Sequence, residues 1–251
     1  MTKEELAQMA GTNAYKGGHV GGSYYDTITL GKDGKFYLSY YSQPKDKRED
    51  PIVIKGSVKM AIIKVRSKLT KWQDNAKVLE SVEYDAGATE IATTKGNLSE
   101  KEAKDLGAKK SLVLYGVYKG SLVKLTVSGG SLYNPDDEDD LRLYSYLQSF
   151  EGDDHIFMFE TEVKAKEVEY EYNGEDKTTY HMTFAKGKES NLEEVGECLK
   201  SLTESLPEND ARDLKFLGYT KKADEQYEGT GGTVPKGALD DEEINPEDIP
   251  F

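Results

Sequence analysis

Tyr37, Tyr41 and Trp72 stand among ten basic residues: Lys32, Lys35, Lys45, Lys47, Arg48, Lys59, Lys64, Arg66, Lys68 and Lys71. These two residue types meet the two things that a single nucleic-acid strand offers. Lysine and arginine neutralise phosphates and release counterions. Aromatic faces stack on unpaired bases, at about 1–3 kcal/mol per base. From Lys32 to Lys77 there are 12 bases and 5 acids, a net of +7. The same residues also suit a plainer arrangement, a solvated lysine face with tyrosines packed at its edge. The plainer role for Trp72 is a core anchor. For Lys45-Asp46-Lys47-Arg48 it is an ordinary charged hairpin loop.

A second group lies at the other end of the sequence. From Asp240 to Phe251 there are six acids and no base, and the last five residues are Glu247, Asp248, Ile249, Pro250 and Phe251. Such a run has too little apolar surface to repay its ordering entropy. An aromatic side chain beside a carboxylate, behind acids, suits capture by a partner's apolar pocket with a basic rim. The plainer reading is a solubilising acidic tail that ends in phenylalanine.

The formal net charge of −14 is unevenly spread. Residues 1–130 carry 21 Lys/Arg against 15 Asp/Glu; residues 131–220 carry 9 against 23, and residues 221–251 carry 3 against 9. Screening acts over roughly 8 Å at physiological salt, so a basic groove can work on an acidic protein.

Catalytic chemistry finds little support. The Gly-Gly pairs lack the lysine of a phosphate-binding loop. His19, His155 and His181 show no metal-ligand spacing. Cys198 has no neighbouring base and reads as a packed thiol. Asp136–Asp140 is an acidic run that includes Glu138, and it lacks the glycine and the distal glutamate of a calcium loop. Glu167, Glu169 and Glu171 form one acidic strand face, which reads as solvated or as a mimic of phosphates. No enzyme activity, metal or cofactor is expected.

These residues must be positioned by strands. Phe36, Leu38 and Tyr40 alternate with Tyr37, Ser39 and Tyr41, so Tyr37 and Tyr41 share the face opposite the apolar set. Val58, Met60 and Ile62 share one face. The parity then changes: Ile63 and Val65 point inward, and Lys64, Arg66 and Lys68 form an outward row. That change predicts a β-bulge near Ile62-Ile63 in a long, curved strand, of the kind barrels need to close. Leu112 to Val117 predicts a buried strand, followed by one with Val123, Leu125 and Val127 facing in. Asn173-Gly174 predicts a tight hairpin between Val168, Tyr170, Tyr172 and Tyr180, Met182, Phe184.

Four short helices are expected: one opened by the capping box Thr2-Lys3-Glu4-Glu5, one by Ser99-Glu100-Lys101-Glu102, one by Asn134-Pro135 and one by Asn191, the last stopped by Pro207. Gly17–Gly22, with four glycines, reads as a loop, and Lys221 onward as linker.

The tip, Asp248-Ile249-Pro250-Phe251, resembles the C-terminal tip of bacterial single-stranded DNA-binding proteins. That resemblance covers four to six residues of 251. In layout the chain is more similar to the phage-encoded members: a body near this size, with an acidic tail ending in phenylalanine. The resemblance implies a non-catalytic protein that coats single-stranded DNA and recruits replication, recombination and repair enzymes (polymerase, helicase or nuclease) through the tip.

The expected fold is mainly β: an OB-fold-like β-barrel with extra strands and short helices over residues 1–220, then a linker and acidic interaction tail over 221–251. A β-sandwich fits the strand count equally. The expected DNA contacts are Tyr37, Tyr41, Arg48, Lys59, Lys64, Arg66, Lys68, Lys71 and Trp72, and the partner contacts are Glu247, Asp248, Ile249, Pro250 and Phe251. The competing reading is an acidic interaction module, a DNA mimic that binds a host nucleic-acid-processing protein. One cysteine, no run of about 18 apolar residues and no apolar leader at Met1 predict a cytoplasmic protein.

Overall fold

The structure is a computed structural model, and it describes residues 25–43, 47–74, 76–133 and 140–216. The expected first helix, the Gly17–Gly22 loop, residues 134–139 and the whole tail, Glu247 to Phe251 included, lie outside the described residues.

The long strand expected from residue 58 forms and organises the molecule. It is β4, Val58–Gln73. Its register on β8 (Lys109–Tyr118) shifts between Ile62 and Lys64, which places the bulge where the change of parity put it. Gly116 sits opposite Ile62 at this point. A Cβ there would stand 2.2 Å from the end of Met60 and 2.7 Å from the Ala61 carbonyl oxygen, so only glycine lets β8 close on the bulge. One half of β4 pairs with β10 (Phe159–Tyr172), and the far end pairs with β5 (Ala76–Glu80).

The remaining strands extend this ladder. β9 (Ser121–Ser128) follows β8, and β1 (Asp26–Leu30) lies parallel to β9. Antiparallel β2 (Phe36–Ser39) and β3 (Ile52–Ile54) continue from β1. On the other side β11 (Glu175–Glu189) returns along β10 through Asn173 and Gly174, both at positive φ, as a hairpin turn of this type requires. The path reads β11-β10-β4-β8-β9-β1-β2-β3, with β5 branching from β4. A small separate pair, β6 (Ile91–Thr93) and β7 (Gly96–Leu98), completes the strands.

Every strand on that path sends side chains into one apolar cluster, from Ile28, Phe36 and Ile54 through Met60, Leu114 and Leu125 to Val163 and Phe184. The mixed sheet therefore curls around a single core. Its end strands, β3 and β11, do not pair, so the closed barrel expected from the sequence is not formed. The reason is local. β3 is three residues long, and a seam that short has few hydrogen bonds with which to close.

The described residues hold three α-helices. α1, Glu100–Asp105, carries the expected capping box between Ser99 and Glu102. α2, Leu143–Gln148, is shorter than expected: Arg142 stands at its N-cap, and Leu141 precedes the helix as extended chain bonded to Phe184. α3, Leu192–Phe216, starts after Asn191, whose side chain accepts from the Glu193 N–H. It does not stop at Pro207, which lies inside it. A proline there costs roughly 3 kcal/mol. Pro207 is on the exposed side, and the packing of Leu202 and Leu206 before it and the burial of Asp210 after it offset that cost. α3 lays Val195, Leu199, Leu202 and Leu206 on the outer face of β4 and β8, against Ile63, Val113 and Tyr115. Cys198 is buried in this second core, and burial pushes its thiol up. No helix among the described residues is long and apolar enough to cross a membrane.

Candidate nucleic-acid interface

Alternation along β4 after the bulge puts Lys64, Arg66, Lys68, Thr70 and Trp72 on one face. The row expected from the sequence is therefore real. Its surroundings are not those expected. The half nearer the bulge lies under α3, and the half nearer the β4–β5 turn lies open.

Under α3 the row is neutralised by the chain's own acids. Arg66 is 1 % exposed. Its guanidinium donates to Asp210 of α3 at 3.0 Å and to the Glu83 carbonyl at 2.6 Å, and Asp85 stands 3.5 Å away. Lys64 pairs with Asp85 at 3.1 Å and Lys68 with Glu80 at 2.5 Å. Glu83 in turn accepts from Tyr115 and pairs with Lys124. Tyr25 ties the helix down through Ser205 at 2.9 Å and Asn209 at 2.7 Å. Arg66 therefore cannot act as the DNA contact expected of it, and Lys64, nearly as covered, cannot either. The outward face of a strand is solvent only where nothing packs on it, and here a helix does.

The electrostatics follow from this burial. Glu83 is opposed by burial yet held down to about 2 by Lys124 and Arg66. Burial acts against the Arg66 charge, but Asp210, Glu83 and Asp85 outweigh it and raise its pKa. Burial pushes the Asp210 carboxyl up to about 8 against the pull of Arg66, and that of Asp213 up to about 7. An acid raised in the fold holds a proton that the unfolded chain, with its value near 3.8, has already lost. Stability must then fall as pH rises toward the folded value, and level off above it. Tm is expected to be lower at pH 9 than at pH 7, and the Asp210→Asn/Asp213→Asn variant to lose most of that slope. A Tm that is flat or rises over this window in the parent would show both carboxyls already ionised.

The open half is not covered by α3, although Lys77 there still pairs with Glu80 at 2.8 Å. Trp72 is 60 % exposed at the end of β4, just past a second register shift, with the Lys77 ammonium 5.5 Å from its ring. Lys109 of β8 lies opposite Thr70 in register and is exposed, and burial of its stem pushes its ammonium down. Lys71 points to the other face of β4, beside Gly107 at the end of α1. Thr126 and Ser128 continue the open face on β9. The result is a flat polar platform with one indole ring and lysines around it. Lys77 and Lys109 are members that the sequence does not single out, and cross-strand register to Trp72 and Thr70 is the signal that finds them.

The other expected contacts lie elsewhere. Tyr37 is on β2, where its hydroxyl donates to Asp33 at 2.7 Å. Tyr41 follows β2, and the Arg48 guanidinium sits 4.4 Å over its ring, which occupies one stacking face. Lys59 is at the opposite end of β4 from Trp72, next to Glu162 at 3.9 Å. Thirteen residues at about 3.3 Å each separate the two by roughly 40 Å along the strand. The nine expected contacts therefore form no single groove.

No group of three or more His, Cys, Asp or Glu among the described residues is arranged to hold a metal ion. Comparison with protein-family models, with curated proteins and with solved structures finds no match for this chain.

Proposed function

We propose that the protein binds single-stranded DNA on the Trp72 platform and recruits replication, recombination or repair enzymes through its acidic C-terminal tip. The observation that carries this reading is Trp72 itself: a large ring left open, against the usual preference for burial, with the Lys77 ammonium 5.5 Å over it and Lys109 on the neighbouring strand. An exposed ring with cations beside it is what base stacking plus phosphate contact requires. The sheet curled around one core by a long, bulged strand supports an OB-like body, elaborated by α3 and left open at the β3 seam. The likeness of Asp248-Ile249-Pro250-Phe251 to the bacterial tip supports the recruiting role.

Regulation follows from charge. The six acids of residues 240–251 compete with phosphates for the platform lysines, and tethering makes that competition intramolecular. DNA displaces them and frees Phe251 for partners. Removing residues 240–251 is expected to tighten oligo(dT) binding at low salt in a gel-shift and to abolish recruitment of a partner polymerase or nuclease. Unchanged affinity removes the competition; unchanged recruitment removes the role of the tip.

One observation favours the mimic reading. The β10–β11 ribbon sets Glu167, Glu169 and Glu171 on one face with Asp176 opposite Glu171. A protein that acts through this face shows no oligo(dT) shift even at low salt.

A further inference from the structure

The place where the sheet fails to close holds a cleft of about 850 Å³. β3, the turn into β4, Tyr118 and Lys119, and parts of β10 and β11 line it, so both end strands of the sheet contribute to its walls. β3 pairs with β2 and has no partner on its second edge among the described residues. Ile52 and Val53 of this edge are 46 % and 48 % exposed. Natural edge strands are usually blunted by charge, and a bare aliphatic edge is a template for another strand.

Charge sets what that strand must be. Lys55, Lys59, Lys119 and Lys188 line the cleft against only two acids, Glu160 and Glu162. Lys188 takes Glu160 at 3.3 Å, while Ser57 and Lys59 hold Glu162. Lys55 and Lys119 have no carboxylate partner among the described residues. Nucleic acid suits this place poorly: Tyr118, the one ring in the wall, is 8 % exposed and offers no open face for a base. An extended peptide suits it well. Its backbone meets the open edge, the apolar side chains of one face meet Ile52, and its carboxylates meet Lys55 and Lys119.

We propose that the cleft takes an extended acidic segment of a partner protein, added as a strand on β3. The sequence of the chain's own residues 240–251 does not suit that role. Pro246 and Pro250 each remove a ladder donor, and the four acids at 240–243 do not alternate with apolar residues. The surface is separate from the Trp72 platform and does not depend on it.

The test titrates a fluorescein-labelled heptapeptide that alternates glutamate with valine into the full chain at low salt. Saturable anisotropy change is expected, weakened at least tenfold in Lys55→Glu/Lys119→Glu, with amide exchange slowed at residues 52–54. A peptide that alternates lysine with valine is expected not to saturate. Binding that ignores the lysine reversals, leaves exchange at 52–54 unchanged or is absent overturns the proposal. A peptide of residues 240–251 that competes more strongly than the probe would make the occupant this chain's own segment. Displacement of the probe by oligo(dT) would make the cleft a nucleic-acid site, and both results also overturn the proposal. Oligo(dT) binding that fails while the probe binds would instead remove the platform reading alone.

Discussion

Arg66→Ala is expected to destabilise the protein by about 3–5 kcal/mol, the range for removing one member of a buried charge network, here the cation beside Glu83 and Asp85. The side chain is 1 % exposed, and its loss strands Asp210 and the Glu83 carbonyl without their donor. It also leaves Asp85 with one cation fewer. The desolvation of these groups has been spent, and nothing replaces the guanidinium. Urea unfolding of parent and variant measures the difference. A companion double variant, Arg66→Met/Asp210→Leu, should recover much of the loss, because apolar residues of similar volume often replace a buried pair at little cost. A loss under about 1 kcal/mol, the range of surface substitutions, would place Arg66 at the surface after all. The prediction thus separates a structural arginine from the DNA contact that the sequence suggested.

Trp72→Ala works in the opposite sense, with a large effect on binding and little on the fold. One stacked base is worth about 1–3 kcal/mol, which is roughly 5- to 150-fold in affinity for a short oligo(dT). At 60 % exposure the ring contributes little packing, so the change in stability should stay under about 1 kcal/mol. Trp72→Phe keeps an aromatic face and should recover most of the affinity. Anisotropy of a labelled oligonucleotide reads all three proteins. Equal affinity for parent and Trp72→Ala would show that the ring stacks on nothing.

Features that depend on a few adjacent residues are legible in the sequence alone. The change of parity at Ile62-Ile63 marks a bulge that the register confirms. The Ser99–Glu102 capping box and the Asn173-Gly174 turn are equally local, and both form. What is not legible depends on contacts between distant segments. Strand alternation separates two faces but does not say which of them a helix covers. The outward row of β4 resembles a groove only if α3 ends at Pro207. Leu199, Leu202, Leu206, Asp210 and Asp213 keep helical spacing across that proline, and this stripe is the sign that the helix continues and carries acids onto the row. Glu80, Glu83 and Asp85, close behind β4 in sequence, are the sign that the row is neutralised at home. Closure of the sheet is the least accessible feature. It depends on whether two strands about 130 residues apart in sequence meet, and β3 and β11 do not.

The chain contains a single tryptophan, so emission excited beyond the tyrosine absorption band reports on Trp72 alone. Titrating the full chain with oligo(dT) at 50 and 200 mM salt therefore tests DNA binding and its location together. Bases stacked on the indole should quench the emission saturably. Two lysine–phosphate contacts, at Lys77 and Lys109, should weaken the midpoint by about seven-fold between the two salts, from a slope of about −0.7 per contact. Emission that stays constant at 50 mM salt, with no bound oligonucleotide, would contradict the account.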